Sequence, residues 1–136
     1  MPVRRYILDV RKGVKLQAFY SESSRRGKAH DEKREYDKAI AAFSRAIRMD
    51  PEEVDYLVAR GDVYSRRGQL NQEISDYEKA DQLSQRADYL VARGDAYASK
   101  AQYDLAVADY DVAIRLHPKL RGAIANRAKI MAMKDG

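Results

Sequence analysis

Apolar residues recur along the chain every three or four positions, the spacing that gathers them on one face of a helix. Tyr36, Ala39, Ile40, Phe43, Ala46 and Ile47 form one such stripe. Leu70, Ile74, Tyr77 and Ala80 form a second, and Tyr103, Ala106, Val107, Tyr110, Ala113 and Ile114 a third. A leading helix is expected ahead of each of the last two, carried by Leu57, Gly61 and Tyr64 and then by Leu90, Gly94 and Tyr97. Gly68 falls between paired helices, where a left-handed cap residue is wanted. Asp50-Pro51-Glu52-Glu53 reads as a helix start, with Asp50 as the cap, proline in the first turn and acids favoured by the dipole. His117-Pro118 reads as a stop.

The stripes belong to an internal repeat. The octapeptide DYLVARGD stands at 55–62 and again, letter for letter, at 88–95, a separation of 33 residues. At the same spacing Tyr64 matches Tyr97, Gln69 matches Gln102, Asp76 matches Asp109, Tyr77 matches Tyr110 and Ala80 matches Ala113. At 34, Gly27 precedes Gly61, Phe43 precedes Tyr77, and Ile124 and Ala128 follow Leu90 and Gly94. The units also depart from one another. Phe43 to Gly61 and Tyr110 to Ala128 are each 18 residues, but Tyr77 to Gly94 is 17. The missing residue is assigned to the connection near Ser84-Gln85, with Ser84 expected as the next N-cap. Glu73 stands where Ala39 and Ala106 stand, and is expected on a polar edge facing solvent. In the first unit Ser23 replaces the leucines and His30 the tyrosines. Residues 1–14 read either as a short helix broken at Gly13 or as a frayed arm.

Spacing, the glycine, tyrosine and alanine places, and the closing proline together resemble the tetratricopeptide repeat. The resemblance implies an all-α fold: a right-handed superhelical stack of antiparallel helix hairpins, about three repeats plus a C-terminal capping helix. It divides the chain into an arm or short helix at 1–19, a degenerate repeat at 20–53, repeats at 54–86 and 87–120, and the capping helix at 121–136. Gly61 and Gly94 then let one helix backbone approach its neighbour, and Ala46, Ala80 and Ala113 do so from the other side. A larger residue there would overpack by ~1–3 kcal/mol.

Composition narrows the class. Apolar residues make up 45% and charged residues 35% of the 136, too apolar for disorder and too charged for a membrane protein. No apolar run approaches the ~18 residues of a bilayer span, and no secretory signal is evident, so a cytoplasmic location is the default expectation. With 0 Cys there is no disulfide, thiolate metal site or cysteine nucleophile. The charge is uneven: residues 1–28 carry 8 basic and 2 acidic groups, 51–118 carry 8 and 13, and 119–136 carry 5 and 1.

The residues that could do chemistry are few. His30 and His117 lie in different units without a paired nucleophile, so no catalytic, metal or cofactor site is expected and the chain reads as no enzyme. Asp55, Asp62, Asp88 and Asp95 are the one carboxylate constellation, with 55 expected beside 88 and 62 beside 95, roughly 8–10 Å apart by helix spacing. The Arg-Gly-Asp triplets at 60–62 and 93–95 are expected inside helices, where no adhesion motif works. Arg60 and Arg93 are instead expected to pair with Asp76 and Asp109 across the two helices of a unit.

Binding is what the family resemblance implies, because the first helix of each pair lines a concave groove. Transferred to this sequence, the groove places are Ser24, Arg25 and Lys28; Asp55, Val58, Ala59 and Asp62; Asp88, Val91, Ala92 and Asp95; and Ala125, Asn126 and Lys129. Small apolar residues walled by four aspartates, with basic residues at both ends, suit a basic, partly apolar peptide segment of another protein. The carboxylate clamp with which some family members hold chaperone C-termini finds Ser24, Lys28, Ala59, Asp88 and Ala92 at its places, so that mode is not expected. The alternatives are nucleic-acid or anionic-surface binding through the basic segment 1–28, where Arg4, Arg5, Arg11, Lys12 and Lys15 accompany Tyr6, Phe19 and Tyr20, and homo-oligomerisation through apolar end faces. No small-molecule substrate is implied.

Overall fold

The computed structural model describes residues 22–135. These form α1 (22–32), α2 (Tyr36–Met49), α3 (Val54–Arg67), α4 (Leu70–Leu83), α5 (Ala87–Ser99), α6 (Tyr103–Leu116) and α7 (Arg121–Asp135), with no strand among the described residues. Each helix from α2 onward packs against the next in the chain, and α5 also touches α7. The result is the expected all-α stack of hairpins with a closing helix. The arm at 1–19, and with it the basic cluster from Arg4 to Lys15, lies outside the described residues.

One device turns the chain inside every unit. One or two residues after α1, α3 and α5 the chain takes a left-handed conformation: Arg34 at φ 61°, Gly68 at φ 79° and Ala101 at φ 61°. The next amide then reaches back five residues, from Glu35 to the His30 carbonyl (2.8 Å), from Gln69 to Tyr64 (2.9 Å) and from Gln102 to Tyr97 (2.9 Å). These are Schellman closures, and only the middle one uses the glycine that sterics favour.

Between units the structure corrects two expectations. Asp50 ends α2 instead of capping α3: its amide bonds the Ala46 carbonyl, and α3 starts only at Val54 behind Glu53. The cause is Pro51, whose ring drives the preceding residue out of the helical region, to φ −139° and ψ 79°. Ser84 likewise ends α4, its amide on the Ala80 carbonyl, and α5 begins at Ala87 behind Arg86 with no side-chain cap. The connection 84–86 is one residue shorter than 50–53 and 117–120, which is where the sequence placed the deletion.

The core is a line of small clusters, as a stack requires. Ala39, Phe43 and Val63 join α2 to α3, Leu57, Ala80 and Tyr89 join α3, α4 and α5, and Ala106, Tyr110 and Ile130 join α6 to α7. Ala39, Ala46, Ala80, Ala106 and Ala113 are wholly buried. A Cβ on Gly27 would lie 2.8 Å from the Phe43 ring and one on Gly94 2.8 Å from the Tyr110 ring, so helix contact there depends on glycine. In α7 only Ala123 and Ile130 are buried. Ile124, the counterpart of Leu57 and Leu90, is exposed.

Candidate functional site

The first helices α3 and α5 each hold a repeated set of polar contacts. Arg60 donates to both carboxylate oxygens of Asp76, from Nε at 2.9 Å and Nη2 at 2.7 Å. Arg93 does the same to Asp109 at 2.9 and 2.7 Å. Asp76 and Asp109 are 4% and 5% exposed, so these are the inter-helix ion pairs the sequence called for, with the bidentate fork buried. Arg60 also reaches the preceding unit through Ser44 Oγ at 2.9 Å, and each arginine lies over a tyrosine ring one turn on, Tyr64 or Tyr97.

Asp62 and Asp95 follow those arginines by two residues and turn to the other side. The Tyr77 hydroxyl donates to Asp62, and the Tyr110 hydroxyl donates to Asp95 Oδ1 at 2.6 Å. Burial, reinforced by these carboxylates, holds both phenols far above the usual tyrosine range. Asn126 Nδ2 donates to the same Asp95 oxygen at 2.9 Å, tying α7 to α5. Every member of the Arg-Gly-Asp triplets therefore has a packing or pairing task between its helix and the next.

The expected groove residues come together in part. Asp95, Asn126 and Lys129 line one cleft of ≈ 290 Å³ with Ala98, Tyr110 and Ile130. Asp55 and Asp88 both act on the phenol of Tyr89, and Asp88 also pairs with Arg86 at the surface. Val58, Ala59, Val91 and Ala92 are half-buried, and Val58, Ala59 and Val91 each pack partly on a core cluster. Only the outer portion of each of these side chains is thus accessible. Lys28 is exposed on α1.

Sequence reasoning missed Glu73. Expected at a solvent edge, it is 5% exposed on α4, the place filled by the wholly buried Ala39 and Ala106 in the neighbouring units. The hairpin geometry that buries those methyl groups buries the whole of this longer side chain. Its Oε1 has no hydrogen-bond partner. Desolvation, opposed by a hydrogen bond with Ser65 and reinforced by Asp62 and Asp95, pushes its carboxyl up to about 7. The departure from alanine was visible in the repeat alignment; that it pointed inward was not.

Among the described residues no group of three or more His, Asp or Glu side chains converges as metal ligands, and no helix is long and apolar enough to cross a membrane.

Two family models described as tetratricopeptide repeat match, one over residues 24–87 and one over 87–120. No curated protein sequence matches the chain. Among solved structures, the Arabidopsis OM64 TPR domain superposes with a TM-score of 0.79 at 20% identity, covering 87% of this chain and 98% of that one. The first TPR of Spaghetti (RPAP3), bound to the HSP90 peptide SRMEEVD, gives 0.80 at 21% identity, covering 88% and 95%. The second TPR domain of human RPAP3, in complex with the HSP70 peptide SGPTIEEVD, gives 0.78 at 20%, covering 85% and 98%.

Proposed function

Because the chain belongs to the tetratricopeptide repeat family, in general a non-catalytic protein-interaction fold, we propose that it is a non-enzymatic adaptor holding a peptide segment of another protein in its concave groove. The reading is carried by one observation. Asp55, Val58, Ala59 and Asp62 recur as Asp88, Val91, Ala92 and Asp95, and none of the eight is fully buried, while the opposite faces of the same helices hold the core. Duplicated, partly open positions on successive first helices suit an extended chain that repeats its contacts.

The charge indicates which chain. The peptides bound by the two RPAP3 domains end in Glu, Glu, Val and Asp. Here the groove places carry Asp55, Asp62, Asp88 and Asp95, with lysines only at the ends, Lys28 and Lys129. Like charges would oppose such a tail, whereas lysine or arginine beside small apolar residues matches both the carboxylates and the valine–alanine floor. Fluorescence anisotropy with basic and acidic peptide libraries tests this. The unaltered chain is expected to prefer the basic library, and the double variant Asp62→Lys, Asp95→Lys to lose that preference. Equal binding of both libraries by the unaltered chain would remove the reading.

A further inference from the structure

The cleft between α5 and α7 deepens the groove reading and rests on it. Aligned by the repeat, the place held by Asp62 on α3 and Asp95 on α5 is held by Lys28 on α1 and Lys129 on α7. This row of the proposed groove therefore runs positive, negative, negative, positive. At the α7 end the change of sign falls inside an opening. Asp95 and Lys129 both line the cleft of ≈ 290 Å³, with Asn126 beside them and Ala98, Tyr110 and Ile130 as its apolar part.

The two charges do not neutralise each other. Asp95 Oδ1 already accepts from the Tyr110 hydroxyl at 2.6 Å and from Asn126 Nδ2 at 2.9 Å, which fix its carboxylate to α6 and α7. Lys129 is exposed and, among the described residues, forms no ion pair with Asp95 or with any other carboxylate. Its basic neighbours along α7 do: Arg127 pairs with Asp111 and Lys134 with Asp104, both on α6. Those pairs fasten α7 to α6. Lys129 lines the cleft with α5 instead, three donors without an acceptor, so helix packing does not account for its charge.

We infer that this cleft takes one acidic side chain of the bound segment, an aspartate or a glutamate, with Lys129 as the residue that selects it. The incoming carboxylate accepts from Lys129 Nζ while its methylene stem lies along Ala98 and Ile130. Asp95, held in place by its two donors, repels an acid set one unit too early and favours a basic residue there. Packed helices lie roughly 8–10 Å apart, and an extended chain advances ~3.3 Å per residue. The acid therefore stands about three residues from the basic residue beside Asp95.

Fluorescence anisotropy with the full chain tests this. The probes are mixed-sequence heptapeptide libraries with lysine fixed at the centre and glutamate, glutamine or lysine fixed at one end, N-terminal or C-terminal. On one of the two sides the glutamate library should bind about threefold more tightly than its glutamine counterpart, the worth of an exposed ion pair. The preference should shrink in about 0.5 M salt. Lys129→Gln should erase it and Lys129→Glu should turn it toward the lysine library, with circular dichroism confirming that both variants are folded. Arg127→Gln removes the same charge from α7 outside the cleft and should keep the preference. A glutamate preference that survives Lys129→Gln, one that Arg127→Gln abolishes as well, or none in the unaltered chain overturns the inference and leaves the groove standing. If no library binds, the groove reading fails and takes the cleft with it.

Discussion

The hairpin α3–α4 and the hairpin α5–α6 are near copies, and their differences separate what holds a unit together from what a unit is free to vary. Both have an arginine forked onto a buried aspartate, a tyrosine hydroxyl on the next aspartate, and a glycine beneath that tyrosine. They differ at the first buried place of the second helix, Glu73 against Ala106, and at the left-handed cap, Gly68 against Ala101. The shared features fix helix against helix. The unshared ones sit at a buried place on the second helix and in the turn, and change without dissolving the frame.

The largest effect is expected from the shared ion pair. Asp109→Ala leaves the Arg93 guanidinium facing a hydrophobic gap, with Asp81 as its remaining carboxylate neighbour. Removing one partner from a buried pair costs about 3–5 kcal/mol. Asp76→Ala should cost less, because Arg60 keeps the Ser44 hydroxyl. Urea denaturation of both variants measures the difference. A loss below about 1 kcal/mol for Asp109→Ala would mean that the pair behaves as a surface bridge.

The glycines come next, and here the copies are unequal. A methyl on Gly94 would stand 2.8 Å from Tyr110 Cε1, but on Gly61 only 3.2 Å from Tyr77 Cε1. Each ring is pinned by its hydroxyl, so neither can swing away freely. Gly94→Ala should therefore cost about 1–3 kcal/mol and Gly61→Ala distinctly less. Equal midpoint shifts on thermal unfolding would show that the two contacts are equivalent after all.

How much of this the sequence disclosed depends on whether the physics was local or repeated. The stripes, the close approach of helices at Gly61 and Gly94 and the Arg60–Asp76 spacing were legible because each appears at least twice, and repetition fixes what faces inward; that the glycines meet aromatic rings was not. Helix boundaries between units were not. Asp50 and Ser84 look like N-caps on paper, yet both end the preceding helix, the first because of Pro51 and the second through its amide on Ala80. Glu73 was misread for the opposite reason: its residue type outweighed its register. The proposed groove residues rest on family resemblance alone, since nothing in a half-buried Val58 or Ala59 distinguishes a binding face from a packing one.

Glu73→Ala is expected to have an intermediate effect, and of the opposite sign. The carboxyl is raised from the unfolded value of 4.5 to about 7 in the folded chain. Between those values the native state holds a proton that the unfolded state has released, so folding stability falls as pH rises through that window and levels off above it. Glu73→Ala should thus stabilise the protein by about 1–3 kcal/mol at pH 8, with the gain shrinking below pH 5. Ala106→Glu, the reverse exchange in the sister unit, should destabilise, because that pocket is lined by Tyr97, Tyr103 and Ile130. Chemical denaturation of both at pH 5 and 8 reads the sign directly. A destabilised Glu73→Ala at pH 8 would show the carboxylate to be a net contributor to the fold.

The smallest effect belongs to the turns. Ala101 holds φ 61° and Gly68 φ 79° in otherwise matching Schellman closures. A Cβ in the left-handed region crowds the following carbonyl, at a cost of roughly 1–2 kcal/mol, while glycine loses part of that advantage to its freer unfolded chain. Ala101→Gly should therefore stabilise by about 0.5–1 kcal/mol and Gly68→Ala destabilise by a similar amount, as thermal melts of both would register. Nothing crowds the Gly68 site within 4 Å, so any loss there is backbone strain and not a clash. If Ala101→Gly instead loosens the α5–α6 hairpin, then the alanine methyl is contributing contacts that its left-handed backbone does not reveal. The two units would then differ at their caps for reasons of packing and not of drift.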